Sequence, residues 1–245
     1  NTPWDLLEKR YEYYSLVITA MFKAIGADIK NFELVRGSSF QRDGKFFEDV
    51  LHMATVASVH DAKKAGSEVV KQSDNPKVSG LIYPIMQALD EEYLGVDIQY
   101  GGVDQRKILM FAREYLPKVG YNARIEVMTP IIPGLVGEKM SASDPNSKID
   151  LLDDEKTIKK KLNKAFCPEG EVKTNGVLAF MKHIMFIILE DAGKPFVIER
   201  PEKFGGTISF DNYDALEKAF VTKKLHPMDL KQGLAVELTK LVAPV

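Results

Sequence analysis

Between residues 32 and 128 short apolar strands take turns with helical stretches, and that alternation limits the fold more than any other feature of the chain. Residues 32–35 read as a strand. Gly37 and the pair Ser38-Ser39 then form a loop and helix start, and a helical stretch runs over residues 46–59. A helix over 82–94, a strand over 96–100, a Gly-Gly turn, a helix over 104–115 and a strand over 125–128 complete the series. Elements of these lengths in this order predict an α/β fold, a parallel sheet with helices on its faces. Ligands of such sheets sit beyond the carboxyl ends of the strands, so the run Val96 to Gly102 draws attention first. Ahead of the series, Leu6, Leu7, Tyr11, Tyr14, Val17, Ile18, Met21, Phe22 and Ile25 recur at helical spacing and predict an amphipathic helix ending at Gly26.

After about residue 149 the texture changes to long helices. Residues 153–166 and 177–190 read as helical, 196–200 and 207–210 as a strand pair, and two helices close the chain. This places a domain boundary near 150, between an α/β part (1–150) and a mainly helical part (151–245). At 245 residues and 45% apolar content the chain can bury one large core or two modest ones. Its 33 basic and 35 acidic side chains nearly cancel, so any polyanion must be met by local clusters of charge. One cysteine, Cys167, excludes an internal disulfide and fits a reducing, cytoplasmic compartment; four histidines give no zinc-type cluster. No apolar run approaches the ~20 residues of a membrane span, and no membrane partner is expected. Asn1 is not a methionine and no signal peptide follows it, so the start reads as a cut inside a longer protein.

Three clusters can carry chemistry. Tyr83, Gln87 and Asp90 are spaced four and three apart and line one face of a helix: a phenol, an amide and a carboxylate that together can form a polar pocket. Equally, Asp90 can open a solvated acidic run with Glu91 and Glu92. Gly101-Gly102-Val103-Asp104-Gln105 lies between a strand and a helix, where glycine permits close approach to a ligand, although a plain turn capped by Asp104 has the same composition. Lys139-Met140-Ser141-Ala142-Ser143 sets an ammonium and two hydroxyls among glycines, a composition suited to a triphosphate and also to an ordinary polar loop.

KMSAS resembles the KMSKS signature of class I aminoacyl-tRNA synthetases. The stretch YPIMQALDEEYLGVDIQYGGVDQRKI is very similar to the core of archaeal and eukaryotic cytosolic tyrosyl-tRNA synthetases. HDAKKAGSEVVKQ, CPEGEVKTNGVLAFMKHIMF and HPMDLK extend the resemblance over nearly the whole chain.

The resemblance implies a Rossmann-like catalytic domain followed by a helical anticodon-binding domain, and a homodimeric enzyme that activates L-tyrosine with ATP and Mg2+ and passes it to tRNA(Tyr), without a bound prosthetic group or resident metal. It assigns Asp90 to the substrate phenol, and Tyr83, Gln87 and Gln105 to the α-amino end. Gly102 and Asp104, with Lys139 and Met140, fall on the ATP side. Lys139, Ser141 and Ser143 form the catalytic loop, the lysine stabilising pyrophosphate as the carboxylate attacks the α-phosphorus. Phe204, His226 and Asp229 match positions that meet the anticodon, where rings stack on unpaired bases and a carboxylate accepts from a guanine edge. Read without the family, Phe204 is an apolar residue packed beside Gly205-Gly206 and His226 an ordinary helix start before Pro227. Lysines 156, 159, 160, 161 and 164 make a basic helical surface, open to RNA backbone or simply solvated.

Departures qualify these expectations. The second class I signature, HIGH or a variant, together with a first strand and a tyrosine that shares the phenol, is expected before Asn1. KMSAS lacks the second lysine of KMSKS, and KMSASDPNS is wording shared with tryptophanyl-tRNA synthetases. A tryptophan enzyme and a non-catalytic tRNA-binding or signalling fragment therefore stand as the alternatives.

Overall fold

The computed structural model describes residues 3–69, 75, 77–136 and 147–245. The chain divides into two compact units, residues 33–131 and residues 1–32 with 132–245. These cuts fall at 32/33 and 131/132, whereas the sequence places its division near 150.

Within residues 33–131 the elements are α2 (Gly44–Val56), α3 (Val59–Ala65), α4 (Val78–Tyr93), β1 (Ile98–Gly102), α5 (Arg106–Tyr115) and β2 (Ile125–Thr129). β1 and β2 pair in parallel, Ile98 with Ile125 through Gly102 with Thr129. A parallel pair needs a crossover, and α5 supplies it. Phe46, Met53, Ile85, Leu89, Ile108 and Phe111 form the centre of the core, so α2, α4 and α5 each give it an apolar stripe. One face of the strand pair, with Ile98, Tyr100, Ile125 and Val127, is exposed.

Local signals explain the helix starts. Asp43 accepts from the Lys45 amide at 2.8 Å and Ser58 from the Asp61 amide at 3.1 Å, each satisfying an amide that the first turn leaves free. Asp49, buried on α2, accepts from Lys45 Nζ (2.8 Å), the Tyr93 hydroxyl (2.6 Å) and the Tyr121 hydroxyl (2.5 Å), tying α2 to the end of α4. Burial alone would raise its carboxyl; the three donors outweigh that and hold it below the usual range.

The other unit contains α1 (Leu7–Ala24), α6 (Glu155–Lys164), α7 (Gly176–Phe180), α8 (Phe186–Asp191), β3 (Phe196–Ile198), β4 (Ile208–Phe210), α9 (Tyr213–Val221) and α10 (Pro227–Val242). β3 and β4 form an antiparallel pair. Ile158, Leu162, Met181, Phe186, Phe196, Phe220, Leu230 and Leu234 join these elements in one core. Lys231 is buried on α10 and donates to the carbonyls of Ala165 (2.7 Å) and Asn163 (3.2 Å), so an ammonium satisfies the otherwise free carbonyl end of α6. Among the described residues no helix is long and apolar enough to cross a membrane.

Several expectations are corrected. Residues 32–35 are not a strand: the segment has strand-forming residues but no strand pairs with it among the described residues. The helical stretch at 46–59 is two helices, α2 ending at Val56 and α3 restarting after the Ser58 cap. The helix expected over 177–190 carries a π-helical turn, Met181–Met185, between α7 and α8. The acidic run after Asp90 is not solvated, since Glu91 is only 1% exposed and Glu92 pairs with Arg124 at 2.6 Å.

Glu91 on α4 and Glu126 on β2 have no hydrogen bond to either carboxyl oxygen among the described residues. Burial first, then the charge of Glu126, pushes the Glu91 carboxyl up to about 8, against the pull of Arg124. An acid raised on folding keeps its proton in the folded chain while the unfolded chain releases it near 4.5, so stability falls as pH rises from there to about 8. Glu91→Gln removes this dependence. Thermal unfolding of the wild type is expected to lose up to about 1.4 kcal/mol per pH unit across that window, and the variant markedly less. Parallel melting curves from pH 5 to 8.5 check this; identical slopes would show that Glu91 is not protonated in the folded protein.

Candidate functional site

The polar stripe forms on α4 opposite its buried residues. Ile85, Ala88 and Leu89 face the core, leaving Tyr83, Gln87 and Asp90 on the other side of the helix. Pro84, inside the helix, lacks an amide to donate to the preceding turn, yet it is buried and the helix continues to Tyr93. Tyr83 is exposed, and Gln87 and Asp90 are half-buried.

Asp90 Oδ1 accepts from Gln41 Nε2 at 2.7 Å. Burial raises the Asp90 carboxyl, and the amide of Gln41 opposes the rise. Gln41 thereby joins the candidate site, and nothing in the sequence marks it. It follows the short 3-10 turn Gly37–Ser39 and its cap Phe40, donating its own amide to the Gly37 carbonyl at 2.9 Å. A Cβ on Gly37 would come within 3.2 Å of its side-chain oxygen. Phe40 beside it stacks on Tyr93 with ring centroids 5.9 Å apart, anchoring the turn to α4.

A second set of contacts joins α4 to the strand end. Gln87 Nε2 donates to Gln105 Oε1 at 3.1 Å, and Gln105 Nε2 to Asp104 Oδ2 at 3.2 Å. A Cβ on Gly102 would collide with Asp104 Oδ1, so only glycine allows that carboxylate to lie across the end of β1. Gln87 Oε1 is buried and accepts no hydrogen bond from the described residues. A buried acceptor in that state calls for a donor, and a ligand ammonium is one. Tyr83, Gln87, Asp90, Gln105, Gly102 and Asp104 all lie in the unit of residues 33–131. Lys139, Met140, Ser141 and Ser143 lie outside the described residues.

In the other unit, Phe204 is 61% exposed, with Lys203 Nζ 4.9 Å from its ring centroid. His226 caps α10, its Nδ1 accepting from the Met228 amide at 3.1 Å. In the neutral ring the proton is therefore on Nε2. Asp229, in the first turn of α10, pairs with Arg200 Nη1 at 3.2 Å. The basic surface of α6 is smaller than expected, because Lys161 turns in to Asp153 at 2.5 Å and is largely buried; Lys156, Lys160 and Lys164 stay exposed, and Lys159 pairs with Glu155. Among the described residues no three His, Cys, Asp or Glu side chains gather as a metal site.

The family model of the class I tRNA synthetases (W and Y) matches residues 1–243. The cytoplasmic tyrosine–tRNA ligase of Gallus gallus is 50% identical over all 245 residues, which span 46% of that protein, so the chain covers about half the length of this curated relative. Among solved structures, the tyrosyl-tRNA synthetase of Archaeoglobus fulgidus complexed with L-tyrosine superposes with a TM-score of 0.86 at 37% identity, over 96% of this chain and 72% of that one. A tryptophanyl-tRNA synthetase from Aeropyrum pernix reaches a TM-score of 0.65 at 17% identity over 92% of this chain and 60% of that one, a likeness of fold alone. With the KMSAS word, the α4 stripe and the Gly-Gly turn in their expected order, the chain belongs to the class I tRNA synthetases, within the tyrosyl-tRNA synthetase family.

Proposed function

We propose that this chain is part of a tyrosine–tRNA ligase, which joins L-tyrosine to AMP at the expense of ATP and then transfers it to tRNA(Tyr). Two acceptors on one helix face carry this assignment. Asp90 offers a half-buried carboxylate held by Gln41, and Gln87 Oε1 is a buried acceptor without a donor among the described residues. A phenol hydroxyl suits the first and an α-ammonium the second, and tyrosine carries both. Tyr83 and Gln105 complete the amino end of the pocket.

ATP arrives with Mg2+ as part of the substrate. Gly102 at the end of β1 and Asp104 just after it meet the ribose on this reading, the carboxylate accepting from a sugar hydroxyl. The tyrosine carboxylate attacks the α-phosphorus and pyrophosphate leaves. Lys139, with Met140, Ser141 and Ser143 of the KMSAS loop, follows that growing negative charge, a role that rests on the resemblance of the motif. A hydroxyl at the tRNA end then attacks the tyrosyl carbonyl and displaces AMP. The reading keeps a division of labour near residue 150, with Phe204, His226 and Asp229 meeting the anticodon. Relatives named as cytoplasmic enzymes favour the same compartment for this one. ATP–pyrophosphate exchange by the full-length enzyme tests the assignment: stimulation by tyrosine and not by tryptophan is expected, and the reverse would overturn it.

We further propose a homodimer. Phe47 and Leu51 stand one turn apart on α2 and are 61% and 53% exposed, and Val59 at the start of α3 is 69% exposed. Exposed apolar side chains of this size suit contact with a second copy of the chain. Leu51→Asp would place a charge in that contact and is expected to weaken dimerisation roughly tenfold or more, read by sedimentation over a concentration series. An unaltered dimer would place the interface elsewhere.

A further inference from the structure

Arg200 sits where the three residues proposed to meet the anticodon are joined. It follows β3 and precedes the 3-10 turn Glu202–Phe204. Its Nε donates to the carbonyl of Gly206 at 3.0 Å, and its Nη1 to Asp229 Oδ2 at 3.2 Å. One guanidinium thus ties the loop that carries Phe204 to the first turn of α10, which His226 caps. The loop is tightly closed: the Phe204 amide donates to the Pro201 carbonyl at 2.8 Å and the Gly206 amide to the same oxygen at 3.3 Å. Gly205 and Gly206 take φ of +93° and +69°, a region that favours glycine, and Arg200 Nη2 would lie 3.3 Å from a Cβ on Gly205.

Exposure separates the parts. The Arg200 and Asp229 side chains are 11% and 23% exposed, while Phe204 projects at 61%. A loop that exposes a large ring and is tied down by a largely buried ion pair is poorly explained by stability alone, since an ion pair of this kind often adds little to it. The same arrangement suits recognition, because a loop backbone and a carboxylate already held in place need not be ordered when RNA arrives. Arginine fits the place because its planar fork holds two donors in fixed, diverging directions, Nε toward the Gly206 carbonyl and Nη1 toward Asp229, where a lysine would offer a single rotating ammonium.

We propose that Arg200 is a positioning residue for RNA reading: it locks the stacking ring of Phe204 and the acceptor Asp229 into one frame. Arg200 donates to Oδ2 of Asp229, which leaves Oδ1 the less engaged oxygen for contact with a base edge. The proposal rests on the anticodon reading of Phe204, His226 and Asp229 and adds the residue through which they act together.

The test uses the full-length enzyme with Arg200→Ala, Arg200→Lys, Phe204→Ala and Asp229→Ala. Charging of native tRNA and of an anticodon-substituted tRNA is measured for each, alongside tyrosine-dependent pyrophosphate exchange without tRNA. Arg200→Ala is expected to raise KM for native tRNA about tenfold, far more than it lowers the rate of exchange. The substituted tRNA should lose little, and Arg200→Lys should recover part of the loss. If Phe204→Ala and Asp229→Ala are costly while Arg200→Ala is not, the positioning role fails and the anticodon reading stands. Should all three leave KM for tRNA unchanged, the anticodon reading itself fails. A loss shared equally by exchange and charging would make Arg200 merely structural. Where the alanine variant does not fold, Arg200→Lys decides the matter, and full wild-type selectivity between the two tRNAs would overturn the proposal.

Discussion

Asp90→Ala in the full-length enzyme is expected to remove most of the preference for tyrosine over phenylalanine. The carboxylate is half-buried and already carries one donor, Gln41 at 2.7 Å, so it is held in place before substrate arrives. Tyrosine adds a second donor to it, whereas phenylalanine would cover the carboxylate and leave it short of a partner. A hydrogen bond to a charged group contributes about 1.5–3 kcal/mol, so the ratio of kcat/KM values for the two amino acids should fall roughly ten- to a hundredfold or more. Asp90→Asn keeps an acceptor of the same shape without the charge and should fall between. Acid acts in the same direction: burial raises the Asp90 carboxyl above 3.8, so its charge is lost earlier on acidification than that of an ordinary aspartate. Discrimination should therefore decline with falling pH in the wild type and stay flat in Asp90→Ala. Pyrophosphate exchange with both amino acids across pH measures this, and an unchanged ratio would remove Asp90 from the pocket.

Lys139→Ala is expected to produce the other large effect, in a different quantity. In the proposed reaction negative charge moves onto the departing pyrophosphate, and an ammonium beside it stabilises the transition state more than the bound reactants. Removing it should slow tyrosyl-adenylate formation by about a hundredfold to a thousandfold, while the dissociation constant for tyrosine changes by no more than about twofold. KMSAS has a single lysine where KMSKS has two, so no second ammonium in the motif shares the load. Rapid-quench measurement of adenylate formation at saturating tyrosine and ATP separates the two quantities. An unchanged rate would assign the charge on pyrophosphate to another group.

What the sequence makes legible divides along a physical line. The stripe of Tyr83, Gln87 and Asp90 can be read because helical periodicity is local, and the same periodicity marks Ile85, Ala88 and Leu89 as the buried side. The Gly-Gly turn can be read because glycine has a backbone meaning, visible in Gly102 against Asp104. Gln41 cannot, for it stands 49 residues from Asp90 in a short turn without periodicity, and only tertiary packing joins them. Charge pairing hides in the same way: Lys161 counts as part of a basic face until Asp153 turns it inward, and Asp229 counts as a free acceptor until Arg200 takes one of its oxygens. The buried Lys231 under the end of α6 carries no local mark at all. Residues 32–35 err in the opposite sense, since strand propensity is expressed only where a neighbouring strand accepts it.

The central claim, that tyrosine lies along α4 with its phenol at Asp90 and its amino group at Gln87, is tested most directly by a crystal structure of the full-length protein with L-tyrosine. The expected result is a phenol oxygen within hydrogen-bond distance of Asp90, with the α-ammonium donating to Gln87 Oε1 and lying near Tyr83 and Gln105. Tyrosine bound the other way round, or bound away from α4 while Gln87 Oε1 stays without a donor, would contradict it.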